Sequence, residues 1–184
     1  MLIYFFIKIT FLFLIRKTSI RYYSVCVLLL FIIGAFRSYS VGTDTINYLY
    51  YFKDFSTSFD SELRVEPLFQ FLTILVKRYG LSYRILLVLE MLLFLLPIAI
   101  GFRKTCKRPI YALLLLFLLG FYFSSFNISR QMIAVSFVFC AYCYLGKKDW
   151  IKGAVFILIG FLFHLSSIVS ILALPFIFFD FRKK

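Results

Sequence analysis

The 184-residue sequence predicts an all-α fold, a polytopic integral membrane helix bundle. Three observations predict it. Hydrophobic residues make up 63% of the chain and aromatics 22%, with a mean hydropathy of +0.97. Charged residues are only 16%, against about a quarter in soluble domains. The apolar residues also fall in long runs separated by short basic clusters. A soluble core of this size cannot hide so much Phe, Leu and Ile. In a bilayer the backbone of such runs must bond internally, and so they are expected as helices.

Residues 2–15 form the first apolar run. It has no basic n-region and no small-x-small cleavage site, so a removed signal peptide is not expected. Runs at 22–36, 84–102, 110–126, 130–146, 151–163 and 167–180 complete a count of about six or seven spans. A span needs about 20 residues, so the shorter runs must borrow flanking residues or sit against protein. As one helix, 151–179 would reach about 43 Å. The polar break at His164, Ser166 and Ser167, with Pro175 beyond it, divides this run into two shorter helices. One long kinked helix is the alternative. Residues 37–83 form a long outer loop, rich in Tyr and Phe, with short interfacial helices.

Orientation follows from Lys and Arg. Clusters at Arg16, Lys17 and Arg21, at Arg103, Lys104, Lys107 and Arg108, at Lys147, Lys148 and Lys152, and at Arg182 to Lys184 fall on one side. This side is expected to be cytoplasmic, with the N-terminus outside and the C-terminus inside. The net charge of +13 is spent on this topology signal, so no nucleic-acid partner is expected. Lys8 and Glu90 lie inside runs, where a lone charge is costly; their similar depth makes them an expected pair. Cys140 and Cys143 have redox-motif spacing, but inside an apolar helix they read as small packing residues.

The opposite face is charge-mixed. It carries Arg37, Asp44, Glu66, Arg130 and His164, remote in sequence and placed at one membrane surface by the topology. Arg130 sits where two apolar runs meet through a five-residue turn, and a charge so close to hydrocarbon is expected to face protein or a wet cavity. His164, the single histidine, lies at a helix break. Asp44 after Gly42 suits a turn and a helix cap, and Glu66-Pro67 suits a helix start. No P-loop, dinucleotide fingerprint, nucleophile elbow or metal-ligand spacing occurs, so neither metal nor cofactor is expected.

Four motifs, in order, carry a resemblance. Arg37-Ser-Tyr-Ser-Val-Gly42-Thr-Asp44-Thr-Ile-Asn-Tyr48 is similar to the R…G-x-D-x-x-x-Y element of the EpsG family, the Wzy-like polymerases of exopolysaccharide, capsule and O-antigen synthesis. Glu66-Pro67-Leu68-Phe69, Ser129-Arg130-Gln131 and Phe163-His164-Leu165-Ser166 resemble its later elements. Family members usually continue with further helices after the His-containing segment, so the resemblance implies a short or truncated member.

The resemblance also implies a membrane glycosyltransferase-type polymerase in the bacterial cytoplasmic membrane. Its substrate would be an undecaprenyl-pyrophosphate-linked oligosaccharide at the outer leaflet, its surroundings membrane lipids, and its further partners other polysaccharide-assembly proteins. On this reading Asp44, Glu66 and His164 are the catalytic candidates. Arg37, Tyr48, Arg130 and Gln131 are the substrate-binding ones: arginine forks suit pyrophosphate, and Tyr48 suits stacking on a sugar. Two other functions stay open on the residues, a non-catalytic membrane subunit or transporter component, and a membrane acyltransferase acting on surface sugars.

Overall fold

The computed structural model describes residues 20–54 and 65–173. The expected helix at 2–15, Lys8, and residues 174–180 lie outside the described residues. Those described are helical, with no strand among them. The helices are α1 (Ile20–Ala35), α2 (Thr43–Asp54), α3 (Pro67–Arg78), α4 (Tyr83–Thr105), α5 (Pro109–Leu118), α6 (Phe121–Ser124), α7 (Ser129–Leu145) and α8 (Trp150–Phe163). A 3-10 helix, Leu165–Ala173, follows α8.

Only α4, at 23 residues, is long and apolar enough by itself to cross a membrane among the described residues; α1, α5, α7 and α8 are apolar but shorter. The expected helix at 110–126 is broken. Gly120 takes φ +83° between α5 and α6, a left-handed conformation that glycine adopts without the Cβ clash. The break lets α6 turn inward. Tyr122 is fully buried there and donates to the Leu30 carbonyl of α1 at 2.7 Å. Its ring joins Phe117, Phe123 and Phe126 in an aromatic cluster. The region after His164 also departs from expectation, winding as a tighter 3-10 helix.

Helix α7 is the centre of the bundle, packed on α4 and α8, while α1 packs on α4. Small residues permit the approach. A Cβ on Gly160 would lie 3.1 Å from the Ala134 carbonyl oxygen, and one on Gly153 would meet the Leu145 side chain at 2.4 Å. Close backbone approach at glycine is how helices associate where burial from water supplies no drive. Across α4 and α7, Ser136 donates to the Leu93 carbonyl at 3.2 Å.

The outer surface of the bundle is apolar. Leu96 of α4, Leu115 of α5, Leu158 of α8 and Leu172 of the 3-10 helix are each at least half exposed. Soluble monomers rarely present such contiguous apolar surface.

The Glu90 side chain is 3% exposed, and its partner is Arg37, at 3.6 Å. The expected partner, Lys8, lies outside the described residues. Arg37 enters from the end of α1 at the same level as Glu90 and meets the carboxylate within the protein.

Candidate polar site at the helix ends

The polar candidates converge where α1, α3, α7 and α8 meet the segment 36–54. Gly42 makes the first junction. Its φ is +92°, and a Cβ there would fall 2.1 Å from the Phe126 carbonyl oxygen. The chain can press against the α6–α7 turn only because this residue has no side chain. Thr43 then binds Asn127 twice, through its amide to Oδ1 at 3.1 Å and its hydroxyl to the carbonyl at 3.3 Å. Asp44 accepts the Ser129 backbone N–H at 2.8 Å. Ser129 is the first residue of α7, so Asp44 caps that helix from 85 residues away, satisfying an amide with no intrahelical partner. Burial pushes the Asp44 carboxyl up from its ordinary range, and the Ser129 amide opposes the shift.

The second junction joins α3, α7 and α8. Pro67 opens α3 behind Glu66, whose fixed φ suits the first helical position. The Glu66 carboxylate does not cap its own helix. One oxygen takes the Arg130 guanidinium Nη1, and the other faces His164 Nδ1 at 2.5 Å. His164 stands in an extended conformation (φ −160°, ψ 118°) directly after α8, which swings its ring toward α3. Side-chain exposures are 9% for Glu66, 21% for Arg130 and 28% for His164, so the cluster is sheltered and still open at one edge.

Arg130 is held further by Tyr48, whose hydroxyl accepts from Nε at 2.6 Å. The guanidinium carbon lies 5.4 Å from the Tyr48 ring centroid and 5.8 Å from that of Phe69. Tyr48 is 6% exposed and packs on Phe69 at 4.8 Å. A ring so enclosed does not offer a face to a sugar, which moves Tyr48 from substrate stacking to the support of Arg130. Burial raises its phenol above the ordinary range, keeping the hydroxyl protonated.

Arg37 also departs from its expected role. It is 7% exposed. Nε donates to Thr45 at 3.0 Å and Nη1 to the Gly34 carbonyl at 2.8 Å, while Nη2 faces Glu90. Its guanidinium lies 4.8 Å from the Phe126 ring centroid. A guanidinium with all three nitrogens engaged is a clamp between elements and a poor pyrophosphate ligand. Gln131 is exposed on α7 and lines a cavity with His164.

Several supports were not foreseen from sequence. Tyr83 donates to the Thr45 carbonyl at 2.7 Å, and Arg84 ties the end of α1 through the carbonyls of Ala35 and Arg37, at 3.1 and 2.6 Å. Arg84 adjoins an apolar run, as Arg130 does, and that signal could have found it. Among the described residues no group of three or more His, Cys, Asp or Glu converges as a metal-ligating set.

The four motifs therefore meet in space as well as in order. The family model of the EpsG family matches residues 20–184. The chain belongs to the EpsG family. Membership makes this a membrane protein and points to polysaccharide biosynthesis. No curated protein and no solved structure matches the chain. Within this EpsG-family chain the described residues divide by chemistry. Arg130, Glu66 and His164 form a charged, partly open cluster, whereas Arg37, Asp44 and Tyr48 brace the elements around it.

Proposed function

We propose that this EpsG-family chain is a membrane polymerase of surface polysaccharide. It transfers a glycan from an undecaprenyl-pyrophosphate carrier onto a lipid-linked repeat unit at the outer leaflet. The observation that carries the reading is the convergence of Glu66, Arg130 and His164, from three separate helices, in one sheltered cluster.

Transfer of this kind needs two things. The acceptor hydroxyl oxygen attacks the anomeric carbon and loses its proton. The bond from that carbon to the pyrophosphate oxygen breaks, and its electron pair departs with the lipid pyrophosphate. A histidine suits the first requirement. With Nδ1 turned to Glu66, the opposite nitrogen, Nε2, is left to accept the proton, and the carboxylate orients the ring and stabilises the imidazolium. An arginine suits the second, because its planar fork matches phosphate oxygens and stays charged. Glu66 also holds Arg130, and so it links base and cation. In this reading His164 is the base, Arg130 binds pyrophosphate, and Glu66 positions both.

The setting we propose is the bacterial cytoplasmic membrane, crossed several times, with the N-terminus outside and the C-terminus inside. The helices alternate so that residues 35–44, 66, 83, 127–131 and 164 share one end of the bundle. The basic residues in the last turn of α4 and after α7 share the other, where Lys104 lies 4.2 Å from the centroid of the Tyr144 ring. Short helices such as α5 and α8 can cross where neighbouring protein, and not lipid, surrounds their ends.

The test is replacement in a host that makes the polymer. His164→Ala and Arg130→Ala are each expected to lower polymer formation about a hundredfold or more, the usual scale for losing a general base, with the chain still present in the membrane. Unchanged polymer length and amount in both stably inserted variants would remove the polymerase reading. Loss of a sugar acyl group without loss of polymer would point to an acyltransferase.

A further inference from the structure

A cavity of about 210 Å³ opens beside the charged cluster, between α7 and the 3-10 helix. One wall is apolar, made by Ala134, Val135 and Val138. The other carries His164, Ser166, Ser167 and Ser170, while Gln131 adds an amide from the α7 side. This arrangement depends on the 3-10 winding. At three residues per turn, side chains at i and i+3 eclipse, which brings Ser167 and Ser170 into one row, while His164, the extended residue just before the helix, lines the same cavity. An α-helix would carry the same row around its surface. The 3-10 helix runs nine residues, longer than the three or four at which such helices usually stop. The apolar residues of this helix, Leu165, Ile168, Val169, Ile171 and Leu172, are exposed, so Ser167 and Ser170 are turned away from that surface.

Two hydroxyls of the row are unsatisfied. The Ser167 and Ser170 Oγ atoms are buried and have no hydrogen-bond partner among the described residues. Burying a hydroxyl without a partner is unfavourable, and a site that does so twice beside an open cavity suits a ligand that brings hydroxyls. Among the described residues the lining has no lysine or arginine, which disfavours a phosphate. An apolar wall facing neutral hydroxyls and an amide matches a sugar ring, with its C–H face and hydroxyl edge. The volume is well above the roughly 15 Å³ a single water needs and below the roughly 300 Å³ at which drug-sized ligand sites begin. That is the scale of one ring.

We propose that the cavity is the subsite for the neutral terminal sugar of the acceptor, held by Ser167, Ser170 and Gln131 so that one of its hydroxyls reaches His164. The assignment of this sugar as acceptor rests on the polymerase reading; the recognition of a neutral sugar does not. It divides the site in two: charge around Arg130 for the pyrophosphate of the donor, and neutral hydroxyls along the 3-10 row for the acceptor.

Thiol protection tests it without relying on activity. Ser167→Cys and Ser170→Cys are made in the full chain with Cys106→Ser, the other three cysteines being buried. The purified protein is labelled with a small methanethiosulfonate, which forms a mixed disulfide with the thiol and releases methanesulfinate, in the presence of glucose, galactose, N-acetylglucosamine or inorganic pyrophosphate. At least one neutral sugar is expected to slow labelling at both positions severalfold, and pyrophosphate is expected to have no effect. Protection by pyrophosphate alone, protection by none of the sugars, or thiols that never react would overturn the subsite. Sugar protection together with undiminished polymer in both His164→Ala and Arg130→Ala would keep the subsite and remove the polymerase reading, so the two failures are distinguishable. Gln131→Ala is then expected to weaken the sugar protection severalfold; undiminished protection would remove Gln131 from the subsite.

Discussion

Glu66 is the residue on which the site turns, since one carboxylate serves two partners on two other helices. Glu66→Gln keeps the shape and removes the charge. It is expected to reduce polymer formation about a hundredfold, through a histidine no longer oriented or stabilised as a cation, with the change read as polymer per unit of membrane-inserted chain. Arg130→Lys preserves charge and loses the fork that reaches both Glu66 and Tyr48. Asp44 works differently. As the cap on the first amide of α7 it should be worth about 1 kcal/mol, so Asp44→Ala is expected to lower thermal stability in detergent while Asp44→Asn retains most of it. Glu66 and Asp44 looked alike in sequence, each an acid beside a helix start. Their roles diverge because Asp44 meets a backbone amide and Glu66 meets two side chains, a difference that exists only once α7 and α8 are in place.

At the scale of elements, two glycines make a matched comparison. Gly42 and Gly120 both have positive φ, but a Cβ at Gly120 would meet nothing within 4 Å, whereas one at Gly42 would collide with the Phe126 backbone. Gly120→Ala is expected to cost about 1–2 kcal/mol, the price of a left-handed alanine. Gly42→Ala adds a backbone clash to that strain and should cost clearly more, with a larger fall in melting temperature and the detachment of Asp44 from α7. Gly42 was legible in the sequence as a turn glycine. The break at Gly120 was not, because residues 110–126 read as one continuous apolar run. Only the inward turn of Tyr122 onto α1 reveals what the break accomplishes. The 3-10 winding after His164 was hidden for a similar reason: spacing shows an apolar segment with serines, and winding alone decides that Ser167 and Ser170 line up.

At the scale of the whole molecule, the Arg37–Glu90 pair ties the end of α1 to the middle of the bundle. Removing one partner leaves a buried charge alone, which generally costs about 3–5 kcal/mol, while replacing both with apolar residues of similar volume is often close to neutral. Arg37→Met and Glu90→Met are therefore each expected to destabilise strongly, and the double variant to recover much of the loss. Thermal unfolding of all four chains completes the cycle. The proposed topology has its own check. An alkaline phosphatase reporter joined after Asn127 should be active outside the cytoplasm, and one joined after Lys107 should not.

By itself the sequence determined that the chain is helical and apolar over most of its length, because hydropathy and charge placement depend on local composition alone. It also determined the list of polar candidates, through four short motifs that mark the EpsG family. Only the tertiary structure decided which candidates act together. Contacts such as the one from Glu66 to His164, 98 residues apart, depend on how α3, α7 and α8 pack, and no local pattern encodes that packing. It places Arg130, Glu66 and His164 at an open edge, encloses Arg37 and Tyr48 as their supports, and sets a half-buried Asp44 on the first amide of α7.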